Sequence, residues 1–357
     1  MKSIDELDKN FKIQQTNEDG LVFHNCLEEP FTLHGLFSPH ETEVFSRLPL
    51  SFSNSDEVSN GVRRLMFHTS GGRVRFKTNS KVIAIRTQLS DPSIMYHMPA
   101  TGSQGFDLYA TPAESGEKPV FKKIMASKES EYNISHTFDD CSMREITINF
   151  PLYNGVESLY IGINEHSTLE KPAPYKIEKP IVFYGSSVTQ GACASRPGTC
   201  YPSLLSRWLD ADFINLGFSG NDKGEPALAH RIASLEMSAF VYGYGYNART
   251  IEHYKNTYYP FYETIRKKNP ELPIIMMSSP ICPELKIKDR LDYFTEAREV
   301  VINSFKKAKN NGDNVYFIDG FKLLENPEST VDGTHPTDLG FYEMATKIYP
   351  TLKEICR

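Results

Sequence analysis

The sequence predicts two units of different class: an all-β sandwich or jelly roll over residues 1–175, then an α/β domain with a parallel sheet over residues 176–357. Three observations carry this. Up to Asn164 the chain is a succession of short runs rich in Val, Ile, Phe and Thr, broken by Gly, Asn, Asp and Pro, with no sustained helical period. Beyond residue 175, apolar runs alternate with helical stretches, the pattern of a parallel sheet covered on both faces. Between them, "EHSTLEKPAPYKIEKP" (residues 165–180) combines three prolines, mixed charge and no apolar period, as a linker does. At 357 residues the chain has the length for two compact units, each able to bury a core.

In chain order, "RRLMFHTSGGRVRFKT" reads as a hairpin around Gly71 and Gly72. "KVIAIRTQL", "GFDLYAT", "REITINF" and "ESLYIGIN" carry the partial alternation of half-buried strands. "DPSIMYHMPATGSQ" has no period and reads as a long surface loop. In the second half the expected strands are "IVFYG", "DFINLG", "AFVYGYG", "PIIMMSS" and "NVYFIDG". The longest helical stretches are "IEHYKNTYYPFYETIRKKN", which Pro260 should kink or divide, and "LDYFTEAREVVINSFKKAKNN". Trp208, the sole tryptophan, sits in the amphipathic "YPSLLSRWLD" and is expected to pack in the core.

Composition narrows the partners. A net charge of −6 gives no basic field for nucleic acid, and no apolar stretch approaches the length of a membrane span, so neither partner is expected. "MKSIDELDKNF" alternates charges where an export signal needs an apolar run, so a cytoplasmic location is expected. Six scattered cysteines without C-x-x-C spacing argue for free thiols, although Cys193 and Cys200 bracket one loop and could pair on oxidation. The histidines show no H-x-H or H-E-x-x-H spacing, so no metal site is expected. "YGYGYN" lacks the third glycine of a dinucleotide loop, and no cofactor is expected.

In an open parallel sheet, function collects where loops leave the carboxyl ends of the strands. Here those loops carry Ser187, Gly220, Asn247, and finally Asp332 with His335. A serine hydroxyl becomes a nucleophile when a histidine, oriented by a carboxylate, removes its proton. His335 is the candidate base and Asp332, three residues before it across Gly333, its orienter. The backbone N–H groups of Ser187 and Gly220 and the side-chain amide of Asn247 are candidate oxyanion donors.

Ser, Gly, Asn and His in this order, on "GSSVT", "SGN", "YNA" and "DGTHP", resemble the four blocks of the SGNH (GDSL-like) hydrolase superfamily over residues 179–357. The resemblance implies a three-layer, flavodoxin-like domain and selects Ser187 over Ser186 as nucleophile by register. Two blocks depart from the usual pattern, with Ser186 where Asp is common and Ala248 where some members carry Asp. "GFDLY" at residues 105–109 looks like the Gly-x-Asp-Leu-Tyr signature of a sandwich domain preceding some SGNH esterases. The combination is similar to intracellular O-acetyl esterases acting on mannan or xylan oligosaccharides. It implies a carboxylic ester hydrolase whose substrate is a small-molecule or oligosaccharide acyl ester. A thioesterase, a lysophospholipase, and a carbohydrate-binding protein with a decayed hydrolase remain alternatives, since a fold does not choose its substrate. Tyr96 and His97 are candidate substrate contacts on a loop leaning over the active rim. Oligomeric state is not legible.

Overall fold

The structure, a computed structural model, describes residues 7–8, 18–90, 95–282 and 288–356. Alternating strands build the first half as two antiparallel sheets. One runs in the order β1 (Leu21–Asn25), β9 (Val156–Asn164), β4 (Val82–Leu89), β7 (Glu131–Thr137). The other runs β10 (Leu169–Glu170), β3 (Arg73–Thr78), β8 (Arg144–Asn149), β5 (Phe106–Pro112), β6 (Val120–Met125), with β2 (Thr32–His34) also paired to β3. Every second side chain turns inward, so Ile83, Ile85 and Ile161 of the first sheet share one core with Phe76, Ile146 and Ile148 of the second. This half is a β sandwich.

Short helices α1 (Pro39–Thr42), α2 (Asn60–Leu65) and α3 (Ala100–Ser103) interrupt it. The hairpin expected around Gly71 and Gly72 is not formed: Ser59 caps α2 by accepting the Val62 N–H at 3.3 Å, so the arginine-rich stretch before the glycines is helical and only β3 follows them. The proline-rich segment is tied down rather than free. It contributes β10, and Arg73 Nε donates to the Tyr175 hydroxyl at 2.7 Å before the next strand begins.

The second half is a five-stranded parallel sheet in the order β12 (Ala211–Gly217), β11 (Ile177–Gly185), β13 (Ala239–Gly243), β14 (Ile274–Met277), β15 (Val315–Ile318). Its helices are α4 (Ser187–Gln190), α5 (Tyr201–Leu209), α6 (Pro226–Ala233), α7 (Ile251–Lys268), α8 (Lys288–Asn310) and α9 (Asp338–Ile355). Val182 and Tyr184 of β11 face one core with Leu228 of α6, Tyr258 of α7 and Val301 of α8. Ile181 and Phe183 face the other, with Leu205 of α5 and Phe341 of α9. The result is three layers, with β11 at the point where strand order reverses and a crevice opens. Pro260 does not divide α7, because it lies on the exposed side while Tyr258, Phe261, Tyr262 and Ile265 stay packed. Trp208 packs edge-on against Tyr342 and Tyr349 of α9.

β12 is an edge strand, and an edge leaves carbonyls unpaired. Two buried arginines from the sandwich half cover it: Arg47 Nη1 donates to the Asn215 and Gly217 carbonyls at 3.0 and 2.7 Å, and Arg73 Nη1 to the Phe213 carbonyl at 3.1 Å. No helix among the described residues is long and apolar enough to cross a membrane.

Candidate active site

β11 delivers Ser187 to the crevice. Ser186 caps α4, its Oγ accepting the Val188 N–H at 3.2 Å, and Ser187 is the first residue of that helix, where a backbone N–H has no intrahelical partner. Behind it, the Tyr153 hydroxyl of the sandwich half lies 3.5 Å from the Ser187 carbonyl oxygen and hydrogen-bonds the Ser219 side chain.

The turn after β15 delivers the histidine. Asp332 Oδ1 accepts the N–H groups of Thr334 and His335 at 3.0 and 2.8 Å, an Asx turn that Gly333 completes in the left-handed region at φ 82°. Thr337 then caps α9, accepting the Gly340 N–H at 3.3 Å. This geometry leaves His335 Nδ1 2.7 Å from Asp332 Oδ2 and His335 Nε2 3.0 Å from Ser187 Oγ. With the Nδ1 proton on the carboxylate side, Nε2 accepts the serine hydroxyl. Partial burial alone would raise the Asp332 pKa, but the His335 N–H, the imidazole and the Thr334 N–H outweigh it and hold the carboxyl below its ordinary value.

Gly220 follows β12. The Ser219 N–H is taken by Gln190 Oε1 at 2.9 Å, whereas the Gly220 N–H has no hydrogen-bond partner among the described residues. Asn247 follows β13, and its side-chain amide donates to Asp222 Oδ1 while the Gly245 N–H donates to Asp222 Oδ2 at 3.2 Å. Asp222 is fully buried, and burial outweighs those two hydrogen bonds, pushing its pKa up to about 7. Sequence reasoning missed this residue, whose role is visible only once two loops meet.

A cavity of about 550 Å³ is lined by Ser187, Gly220, Asn247 and His335. Tyr246, Arg290, Tyr293 and Phe294 line it as well. The last three lie at i, i+3 and i+4 on α8, a single helix face, and that spacing was the signal available in the sequence. Among the described residues, none of the cavity's lining comes from the sandwich half. Tyr96 is wholly exposed and does not line the cavity, while residues 91–94 of its loop lie outside the described residues. His97 does not line the cavity but lies beside it, with its ring centroid 5.7 Å from that of His335. The buried Cys193 thiol also adjoins these two, and burial together with the Asp332 charge pushes its pKa up to about 12. A larger concavity of about 650 Å³, bordered by Lys77, Glu145, Arg207 and Trp208, contains none of these groups.

A three-layer parallel sheet with Ser, Gly, Asn and His at its rim is that of an SGNH-type hydrolase. Residues 178–353 match the GDSL-like Lipase/Acylhydrolase family, and residues 21–169 match the GxDLY domain described as the "N-terminus of Esterase_SGNH_hydro-type". The chain is 30% identical to a crystal structure from Bacteroides ovatus described as a GDSL-like lipase, with TM-score 0.84, covering 94% of this chain and 98% of that one. This chain belongs to the GDSL-like lipase/acylhydrolase family. Its fold is also shared with a salicylyl-acyltransferase from a tetracycline biosynthetic pathway (20% identity, TM-score 0.72, 92% and 95% covered). A family two carbohydrate esterase from Cellvibrio japonicus shares it as well (14% identity, TM-score 0.61, 94% and 98% covered). A search of the curated proteins finds no match.

Proposed function

We propose that this protein is a serine esterase that removes acetyl or other short acyl groups from carbohydrates through an acyl-enzyme on Ser187, with its two units dividing near residue 175. The observation that supports it is the hydrogen-bonded line from Ser187 through His335 to Asp332, opening on a cavity beside the Gly220 N–H. In this reading His335 Nε2 takes the Ser187 proton as Oγ attacks the ester carbonyl. The oxyanion is held by the Ser187 and Gly220 N–H groups and the Asn247 amide, each donor contributing about 100- to 1000-fold in rate. His335 then protonates the departing sugar oxygen, which leaves as a hydroxyl, activates water, and the acid is released from Ser187. The carbohydrate is inferred from fold neighbours such as the family two carbohydrate esterase of Cellvibrio japonicus.

A second reading, hydrolysis of larger acyl esters or thioesters, is favoured by the aromatic wall of Tyr246, Tyr293 and Phe294, which encloses far more space than an acetyl group fills. One experiment tests both. Acid release is measured from acetylated mannan, acetylated xylan and acetylated simple sugars beside acyl-CoA thioesters of increasing chain length. Turnover confined to the acetylated sugars supports the first reading; turnover confined to thioesters or long chains replaces it with the second.

A further inference from the structure

His97, Cys193 and His335 come from three separate segments, yet one donor atom from each lies within 4.8 Å of the other two. Nitrogen, sulfur, nitrogen is the donor set that Zn²⁺ takes in preference to Mg²⁺ or Ca²⁺. Tetrahedral zinc, with bonds of about 2.0–2.3 Å, needs its donors about 3.3–3.7 Å apart, so closure requires movements of about 1 Å. His97 is exposed and neither of its ring nitrogens has a hydrogen-bond partner among the described residues, so it is free to turn. Cys193 Sγ is likewise a free thiol without a hydrogen-bond partner among the described residues.

An independent feature makes His335 a prepared ligand. Its Nδ1 is held by the Asp332 carboxylate at 2.7 Å, the carboxylate–histidine pairing that fixes the tautomer of metal-bound imidazoles and raises their basicity. The same hydrogen bond leaves the Nε2 lone pair pointing into the site, where Ser187 Oγ is its partner. A metal ion and the serine hydroxyl therefore compete for one lone pair.

We propose that His97, Cys193 and His335 form an inhibitory site for Zn²⁺ that closes the catalytic centre by occupying the imidazole that Ser187 requires. Two neutral imidazoles donate lone pairs, the Cys193 thiol loses its proton to solvent and binds as thiolate, and water or Ser187 Oγ completes the fourth position. No electron is transferred, and a chelator that removes the ion restores the starting state. The inhibitory consequence rests on the esterase reading of Ser187 and His335; the binding does not.

The test uses the full chain, stripped with chelator and then titrated with Zn²⁺ while hydrolysis of a small chromogenic acetate is followed. Co²⁺ loading, read by thiolate-to-cobalt charge-transfer absorption, reports binding without reference to activity. Expected are one ion per chain, inhibition reversed by chelator, and a charge-transfer band. Cys193→Ala is expected to hydrolyse the ester at the parent rate without metal, to lack the band, and to need at least about tenfold more Zn²⁺ for half inhibition. Cys193→Ser serves the same purpose if the alanine variant loses its circular dichroism spectrum. His97→Ala, compared with its own metal-free rate, is expected to lose Zn²⁺ sensitivity by a similar factor. Inhibition of equal potency in the Cys193 and His97 variants, or a Co²⁺ complex of the parent without the band, overturns the site. A parent chain that shows the band but hydrolyses no ester overturns the esterase reading instead and leaves the site standing.

Discussion

The Asp107 carboxylate of the sandwich accepts the Gly198 backbone N–H of the parallel-sheet half at 2.7 Å. Asp107 is fully buried and also accepts from Arg196 Nη1 at 3.0 Å and Asn149 Nδ2 at 2.7 Å. A Cβ at Gly198 would clash with the Tyr109 hydroxyl and the Asp107 carboxylate. The same loop donates through the Ser195 N–H and Thr199 Oγ1 to Asp338 Oδ1 at 2.9 and 2.8 Å, and Asp338 begins the helix just after His335. The "GFDLY" segment thus reaches the catalytic rim by way of one loop, as a brace.

Asp107→Ala leaves Arg196 and the Gly198 N–H without this partner, and breaking a buried pair in this way costs about 3–5 kcal/mol. Urea denaturation is expected to show that loss. A change below about 1 kcal/mol, within the ordinary range of surface substitutions and single neutral contacts, counts against the brace.

Ser187→Ala is expected to abolish ester hydrolysis with an unchanged circular dichroism spectrum. Ser186→Ala removes only the α4 cap and is expected to cost about 1 kcal/mol of stability while keeping most of the activity. Turnover by the Ser187 variant at the parent rate would reassign the nucleophile.

Asp222 links stability to pH. Its pKa lies about 7 in the fold, above the ordinary carboxylate range near 4, so the folded chain holds a proton that the unfolded chain has released. Its contribution is fully present below about pH 4 and is lost as pH rises to about 7, on the order of 1.4 kcal/mol per unit. Denaturation of the parent and Asp222→Asn at pH 5 and pH 7 is expected to show the parent losing about 2 kcal/mol more than the variant over that interval. Parallel pH dependence in the two proteins is the contrary result.

Phe294→Ala opens the cavity wall and is expected to lower kcat/KM for the preferred large substrate at least about tenfold, or roughly 1.4 kcal/mol. A small chromogenic acetate should change little, because it does not use that wall. Tyr96→Ala, wholly exposed outside the cavity, is expected to leave both rates unchanged. An effect of Tyr96→Ala equal to that of Phe294→Ala contradicts this assignment of the wall.

Local chemistry was readable from sequence and tertiary meeting points were not. The strands β11 to β15 announced themselves because both faces of a parallel strand are apolar, and Asp332 and His335 because one short turn holds both. The stretch before Gly71 misled, since its glycine turn was visible while the competing Ser59 cap lay farther upstream. Asp222 and the grouping of His97 with Cys193 carry no diagnostic spacing, because their partners arrive from distant segments.

Ser187 and its imidazole partner are 148 residues apart, and His335 sits between the last strand and the last helix of the sheet domain. In the proposed esterase the serine therefore lacks its base until the chain between the two has closed and α9 has packed Phe341 and Met344 against the sheet. Closing so long a loop is slow compared with forming the local turns at either end. Hydrolytic competence is consequently a timer on the final docking step: during refolding, ester turnover should rise only after the bulk of the helical signal has returned.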